Sequence, residues 1–195
     1  MKRHFLSLVV FAVLVTALPV FAAVDTWQVD TNHSAAHFSV RHLGISTVRG
    51  EFSKVTGTVQ YDPADVTKSV VDITIPATTF NTNVEARDRD LRSANWLDVE
   101  KFPNLTFKST KVESAGQGKL KVTGDLTIHG VTKSVVLDVE GPNTVTDPRG
   151  NAHMGAGATT KISRKDFGLT ANPMAVGDEV QITLDVELAK ARPPQ

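Results

Sequence analysis

Histidine is the first residue type in this chain with a spacing that suggests chemistry. His33 and His37 stand four apart, and His42 follows five later. On a helix the first two would share a face and chelate a metal. The surrounding sequence alternates like a strand, where 33 and 37 again share a face but His42 falls opposite. Asp30 shares neither their parity nor an evident geometry with them, so the three read as solvent-facing or capping residues and no metal is expected. A metal-dependent or other hydrolytic enzyme using the His33/His37 region is the alternative that this spacing keeps open. His129, in a hairpin turn, and His153, near a strand start, read as surface residues. Ser46 lies in GIST, which lacks the last glycine of a G-x-S-x-G elbow and precedes a strand rather than a helix. Gly155 and Gly157 fall short of a dinucleotide fingerprint and lie within a strand. The sequence contains no H-E-x-x-H and no cysteine, which removes a thiol nucleophile, a disulfide and any Cys-based metal site. The reading is of a protein that is not an enzyme, with no catalytic residues.

The first residues direct the chain elsewhere. Lys2, Arg3 and His4 form a basic start, Phe5 to Leu18 is almost wholly apolar, and Pro19-Val20-Phe21-Ala22 resembles a cleavage site. That three-part pattern predicts an export signal over residues 1–22, cut after Ala22, and a periplasmic protein with no stable membrane span once the signal is removed. Loss of Lys2 and Arg3 takes the formal charge from 0 to −2. A nearly neutral chain without a basic stripe excludes nucleic acid as a partner. Residues 23–190 then suit one domain, and Pro193-Pro194 predicts a disordered tail over 191–195.

Within that domain the apolar pattern has period two. In HFSVRHLGISTVRGEFSKVTGTVQYD, Phe38 and Val40 oppose His37, Ser39 and Arg41; breaks at Leu43–Gly44 and Gly57 lead to Val48, Phe52, Val59 and Tyr61. Further strands are predicted at Trp27–Val29, Val70–Ile75 and Leu105–Ser109. Two more carry Met154, Ala156, Ala158 and Ile162, then Val180 to Leu188. One helix is expected after Thr82 or Asn83 as N-cap, with Glu85 facing Arg89 and Asp88 facing Arg92. A two-residue hairpin turn at His129-Gly130 pairs Ile128 with Val131. That register puts Val122 opposite Leu137 and Leu120 opposite Val139, with Lys121 meeting Asp138 and Thr127 meeting Thr132 on the other face. Gly124 opposite Val135 and Lys133 opposite Leu126 are its imperfect pairs.

Eight to ten such strands with one short helix predict an all-β fold, a closed antiparallel β-barrel. A barrel of eight strands either fills itself with side chains or holds one small ligand. Gly124, Gly155, Gly157, Ala156 and Ala158 supply little inward volume, which would leave an elongated apolar interior or relieve crowding at barrel corners.

Five separated blocks, taken together, resemble one known family. They are FSVRHLGISTVRGEF with GTVQYD, RDRDLRSANWLDVEKFPNLTFKS, VTGDLTIHGVTKSVVLDV, ISRKDFGL and VGDEVQIT. The chain is similar over Trp27 to Leu188 to the YceI-like family of exported bacterial proteins, often described as polyisoprenoid-binding. The resemblance implies a lipocalin-like barrel that sequesters a long-chain apolar lipid: a polyisoprenoid, a quinone tail or a fatty amide. It implies no cofactor beyond such a bound lipid or quinone. Carried onto this sequence, it implies an apolar lining of Phe38, Val40, Phe52, Ile73, Phe107, Leu126, Leu137 and Met154, with Trp96 and Leu97 at the mouth. His42, Asn83, Arg89 and Arg164 match its polar positions and would meet a headgroup. A ligand-free envelope interaction protein is the other alternative, and a barrel edge or the helix offers a surface for homodimerisation.

Overall fold

Every strand pairing among the described residues is antiparallel, and the last strand returns to the first. The computed structural model describes residues 24–190; the predicted signal and tail lie outside the described residues. The strands are β1 (Asp25–Val29), β2 (Ala35–His42), β3 (Ser46–Phe52), β4 (Thr56–Tyr61), β5 (Val70–Pro76) and β6 (Phe80–Asn81). After the helix α1 (Glu85–Arg92) come β7 (Asn104–Ser114), β8 (Lys119–Ile128), β9 (Val131–Thr146), β10 (Ala152–Ser163) and β11 (Val176–Lys190). The circuit β1-β4-β5-β7-β8-β9-β10-β11 closes through the β1–β11 pair, giving an eight-stranded barrel. No helix among the described residues is long and apolar enough to cross a membrane.

The other three strands are continuations. One edge of β11 carries β1 at Leu188–Lys190 and β2 from Val176 to Asp185, so β1 and β2 act as one strand broken at residues 30–34. β3 continues the line of β4 and pairs with β2, while β6 continues β5 and pairs with β3. These three breaks make the two ends of the barrel unlike. At the end marked by Trp27, Met154 and Leu188 the strand circuit is complete. At the other end β6 is the last strand in the sheet order, and the gap to β7 is filled by α1 and residues 93–103.

The β8–β9 hairpin has the predicted register throughout, from Ile128↔Val131 to Lys119↔Glu140. His129 and Gly130 both have positive φ, as a two-residue turn of this hand requires. Lys121 Nζ lies 2.6 Å from Asp138 Oδ1, and the Thr127 and Thr132 hydroxyls are 2.8 Å apart.

Other expectations are revised. Gly57 is no break but sits inside β4, where a Cβ would fall 2.1 Å from Asp72 O; the interruption comes at Ser53–Val55, with Lys54 at φ 57°. β7 runs on to Ser114 past a bulge between Ser109 and Lys111. The N-cap of α1 is Val84, with no side-chain cap, and neither predicted ion pair forms among the described residues. Asp88 instead turns back under the helix, buried, and accepts the Thr82 N–H at 3.0 Å and the Thr82 hydroxyl. Arg92 donates to Phe80 O. A helix this short is anchored by bonds to the preceding strand rather than by pairs along its own surface. Gly155 and Gly157 alternate with the inward Met154, Ala156 and Ala158, and so belong to the outer face.

Candidate functional site

Alternation along the strands sends one face of each into a shared interior. On β11 the inward set is Val180, Ile182, Leu184, Val186 and Leu188; on β10 it is Met154, Ala156, Ala158, Thr160 and Ile162. These side chains do not fill the barrel. They enclose a cavity of about 500 Å³ that reaches from Met154 and Leu188 to Trp96 and Arg164. Small-molecule sites are typically about 300–1,000 Å³ and mostly apolar, with few polar groups.

Phe38, Val40, Phe52, Ile73, Trp96, Leu97, Phe107, Leu126, Leu137 and Met154 all stand on the cavity wall. Three phenylalanines gather toward the α1 end: the Phe38 and Phe80 rings are 5.3 Å apart and stacked, and Phe52 meets Phe80 edge-on, also at 5.3 Å. Glycines opposite make room for two rings. A Cβ on Gly50 would lie 2.5 Å from Phe38 Cζ, and one on Gly124 would lie 2.5 Å from Phe107 Cζ. The smallness of Gly124 therefore seats an aromatic ring rather than leaving space.

The polar residues separate. His42 and Arg164 are on the wall, whereas Asn83 and Arg89 are exposed and off it. Asn83 has φ 62° and donates its N–H to Asn81 Oδ1, which turns the chain into α1. The helical residues that do reach the cavity are Arg87, Asp90 and Leu91. Spacing of three and four from Arg87 is the signal for that face, and Leu91 is its apolar anchor.

Arg164 is 3% exposed and fully committed to the protein. Its Nε donates to Gly177 O at 2.9 Å, Nη2 to Val176 O at 2.9 Å, and Nη1 to Leu169 O. Burial pulls its pKa below the usual arginine range, and the nearby Asp178 carboxylate opposes that pull. Its guanidinium carbon lies 5.6 Å from the Trp96 ring centroid, and Trp96 Nε1 donates to Asp90 Oδ2 at 3.0 Å. Trp96 thus spans the mouth between a buried cation from β10's end and a carboxylate from α1. Arg87 is held at the same rim by Thr82, through Nε to Oγ1 at 2.8 Å and Nη2 to the carbonyl at 2.9 Å.

Beside the Arg164 cluster, the β2–β3 turn is tied to the chain before β11 by a 2.7 Å bond from Leu43 N–H to Ala175 O. Next to that bond, Ile45 is 81% and Met174 89% exposed, and Leu43 is also exposed. The histidines that opened the sequence reading are pulled apart. His42 faces the cavity, His37 lies outside between Glu51 and Asp185 at 3.6 and 3.7 Å, and His33 lies 3.0 Å from Asp30. Strand parity did not anticipate the His33–Asp30 contact because residues 30–34 form a turn.

Comparison with known proteins agrees with this architecture. A UPF0312 protein of Vibrio cholerae is 36% identical over 189 residues, covering 96% of this chain and 98% of the relative. The crystal structure of the Campylobacter jejuni YceI protein matches with a TM-score of 0.69 and 31% identity, over 78% of this chain and 90% of that one. A polyisoprenoid binding domain from Saccharophagus degradans shares the fold, with a TM-score of 0.64 at 13% identity over 87% of this chain and all of that one. The family model described as the YceI-like domain matches residues 27–188, nearly the whole barrel, and the chain belongs to that family.

Proposed function

We propose that this chain is an exported, periplasmic binding protein that sequesters a long-chain apolar lipid inside its barrel. A polyisoprenoid, a quinone tail or a fatty amide has the required shape. The observation that carries this reading is the cavity of about 500 Å³ walled by aliphatic and aromatic side chains along its length. Such a wall offers hydrocarbon contact rather than a nucleophile and its base, which favours binding over catalysis. Each methylene taken from water contributes roughly 0.8 kcal/mol, so about twenty alkyl carbons gain roughly 16 kcal/mol, which leaves micromolar binding after several kcal/mol of association and ordering cost. The polyisoprenoid-binding description of the Saccharophagus degradans domain, which has the same fold, supports the same ligand class. The apolar positions on the wall would hold the chain, and His42 and Arg87 at the mouth would meet its polar end. Arg164, with its donors taken by three carbonyls, would act through Trp96 instead.

Mass spectrometry of organic extracts from the purified protein tests the reading. A long-chain lipid in about equimolar amount is the expected result. An empty extract, together with no uptake of polyprenyl, quinone or fatty amide ligands by the lipid-free protein, would overturn it.

A further inference from the structure

The outer face of the complete end carries groups that the cavity does not use. The turn between β1 and β2 is clamped to β11: Asp30 N–H donates to Glu187 O at 2.8 Å. The buried Ser34 hydroxyl donates to Glu187 O at 3.2 Å and accepts the Glu187 N–H at 3.0 Å. This clamp fixes three side chains around one point. One donor atom each from Asp30, His33 and Glu187 lies within 4.8 Å of the others, and His33 Nδ1 is 3.0 Å from Asp30 Oδ2. Asp30 Oδ1 is already taken by the Asn32 N–H at 2.9 Å, which orients Oδ2 toward the histidine.

A second histidine arrives from β10. His153 Nδ1 lies 3.1 Å from Glu187 Oε1, and its Nε2 lies 3.6 Å from Asp147 Oδ2. His153 thus stands between Asp147 and Glu187, and such a line of partners fixes the orientation of the Glu187 carboxylate, as outer-shell groups commonly do for metal ligands. Gly155 pairs with Glu187 across the β10–β11 ladder, and a Cβ there would meet nothing closer than Val186 O at 4.0 Å. The ground beside the Glu187 carboxylate is therefore open.

We propose that Asp30, His33 and Glu187 form a binding site for a divalent transition-metal ion of the zinc class, with His153, backed by Asp147, holding the Glu187 carboxylate from behind. One imidazole and two carboxylates match the mixed nitrogen and oxygen donors that zinc accepts, with a water completing the tetrahedron, whereas calcium and magnesium take oxygen ligands. Metal bonds of about 2.0–2.2 Å place tetrahedral donors roughly 3.3–3.6 Å apart, a little beyond the 3.0 Å between His33 and Asp30. The three carboxylates, counting Asp147, supply the negative charge a dication needs. An ion there would cross-link the β1–β2 turn and β11 on the outside of the barrel, independently of anything in the cavity.

The test is calorimetric titration of the tag-free, chelator-treated protein with zinc chloride, alongside His33→Ala, Glu187→Gln, Asp147→Asn and His37→Ala. Thermal melts with and without zinc accompany it, and circular dichroism checks that each variant folds. One zinc per chain is expected, with a raised melting temperature and no competition from a large excess of magnesium. Affinity should fall at least about tenfold in Asp147→Asn and further in His33→Ala and Glu187→Gln, and stay unchanged in His37→Ala. Absence of stoichiometric zinc binding would overturn the site. So would binding that survives both His33→Ala and Glu187→Gln in folded protein, or that is lost only in His37→Ala.

Discussion

The Phe107 ring occupies the space where a side chain of Gly124 would stand. The two residues belong to neighbouring strands, and a Cβ on Gly124 would approach Phe107 Cζ to 2.5 Å and the Lys108 carbonyl oxygen to 2.6 Å. The ring can shift but the carbonyl is held in the β7–β8 ladder. Gly124→Ala should therefore lower stability by about 1–3 kcal/mol, read by urea denaturation. A change within about 0.3 kcal/mol would show that the contact relaxes freely.

Phe107 is also the sharpest probe of the cavity. Phe107→Asp places a carboxylate on a hydrocarbon wall, and should abolish lipid retention in protein that keeps its native circular dichroism. Lys119→Asp alters an exposed pair with Glu140, 3.3 Å apart, and should leave retention unchanged. Equal retention by both folded variants would contradict the assignment of the lining.

Trp96 should control the rate of exchange. Trp96→Phe removes the bond to Asp90 Oδ2 and weakens the stacking against Arg164. One hydrogen bond to a charged group corresponds to about tenfold in rate, so dissociation of a fluorescent polyprenyl analogue should speed up by about that factor. An unchanged off-rate would mean that the ring does not gate the mouth.

Acid should loosen the same mouth from beneath. Burial works against ionisation of Asp178, but bonds from the Lys165 N–H and the Ser163 hydroxyl hold its pKa below the usual aspartate value of 3.8. A depressed folded-state pKa contributes stability that is present above 3.8 and is lost as pH falls through the lower, folded value. Below pH 3.8 the Ser163–Lys165 turn that carries Arg164 should weaken. Asp178→Asn should flatten that part of the stability–pH curve, and an identical acid limb in the variant would refute the assignment.

Ile45 and Met174 project from the rim into solvent beside residues of the cavity wall. A lipid that leaves a bilayer for the barrel avoids water only if this rim touches the bilayer. Ile45→Asp with Met174→Asp should slow transfer from phosphatidylethanolamine vesicles by about tenfold or more while equilibrium retention is unchanged. Equal transfer rates would exclude the rim as the contact.

Much of this was legible in the sequence because period-two alternation and a two-residue turn are local rules. The β8–β9 register followed from His129-Gly130 alone, and the unbroken alternation of β11 named its inward residues. What escaped was set by distant backbone. Breaks between β1 and β2 and between β3 and β4 were expected near their places, but that β2, β3 and β6 each continue an earlier or later strand depends on pairing with distant backbone. Arg164 reads as a free cation until the carbonyls of Leu169, Val176 and Gly177 are seen to enclose it. Asp88 reads as half of a surface pair until β6 is placed beside it. The proximity of His33 to Glu187 depends on a pairing across 154 residues, which no spacing motif encodes.

The unequal ends give the barrel a stiff rim and a compliant one. Parting the stiff rim means unzipping hydrogen-bonded ladders, whereas opening the other rim would need only a single short helix and its tryptophan to shift. On the proposed function traffic would be one-ended: a guest would enter tail first, its hydrocarbon tip against Met154 and Leu188, with any excess length trailing out past α1.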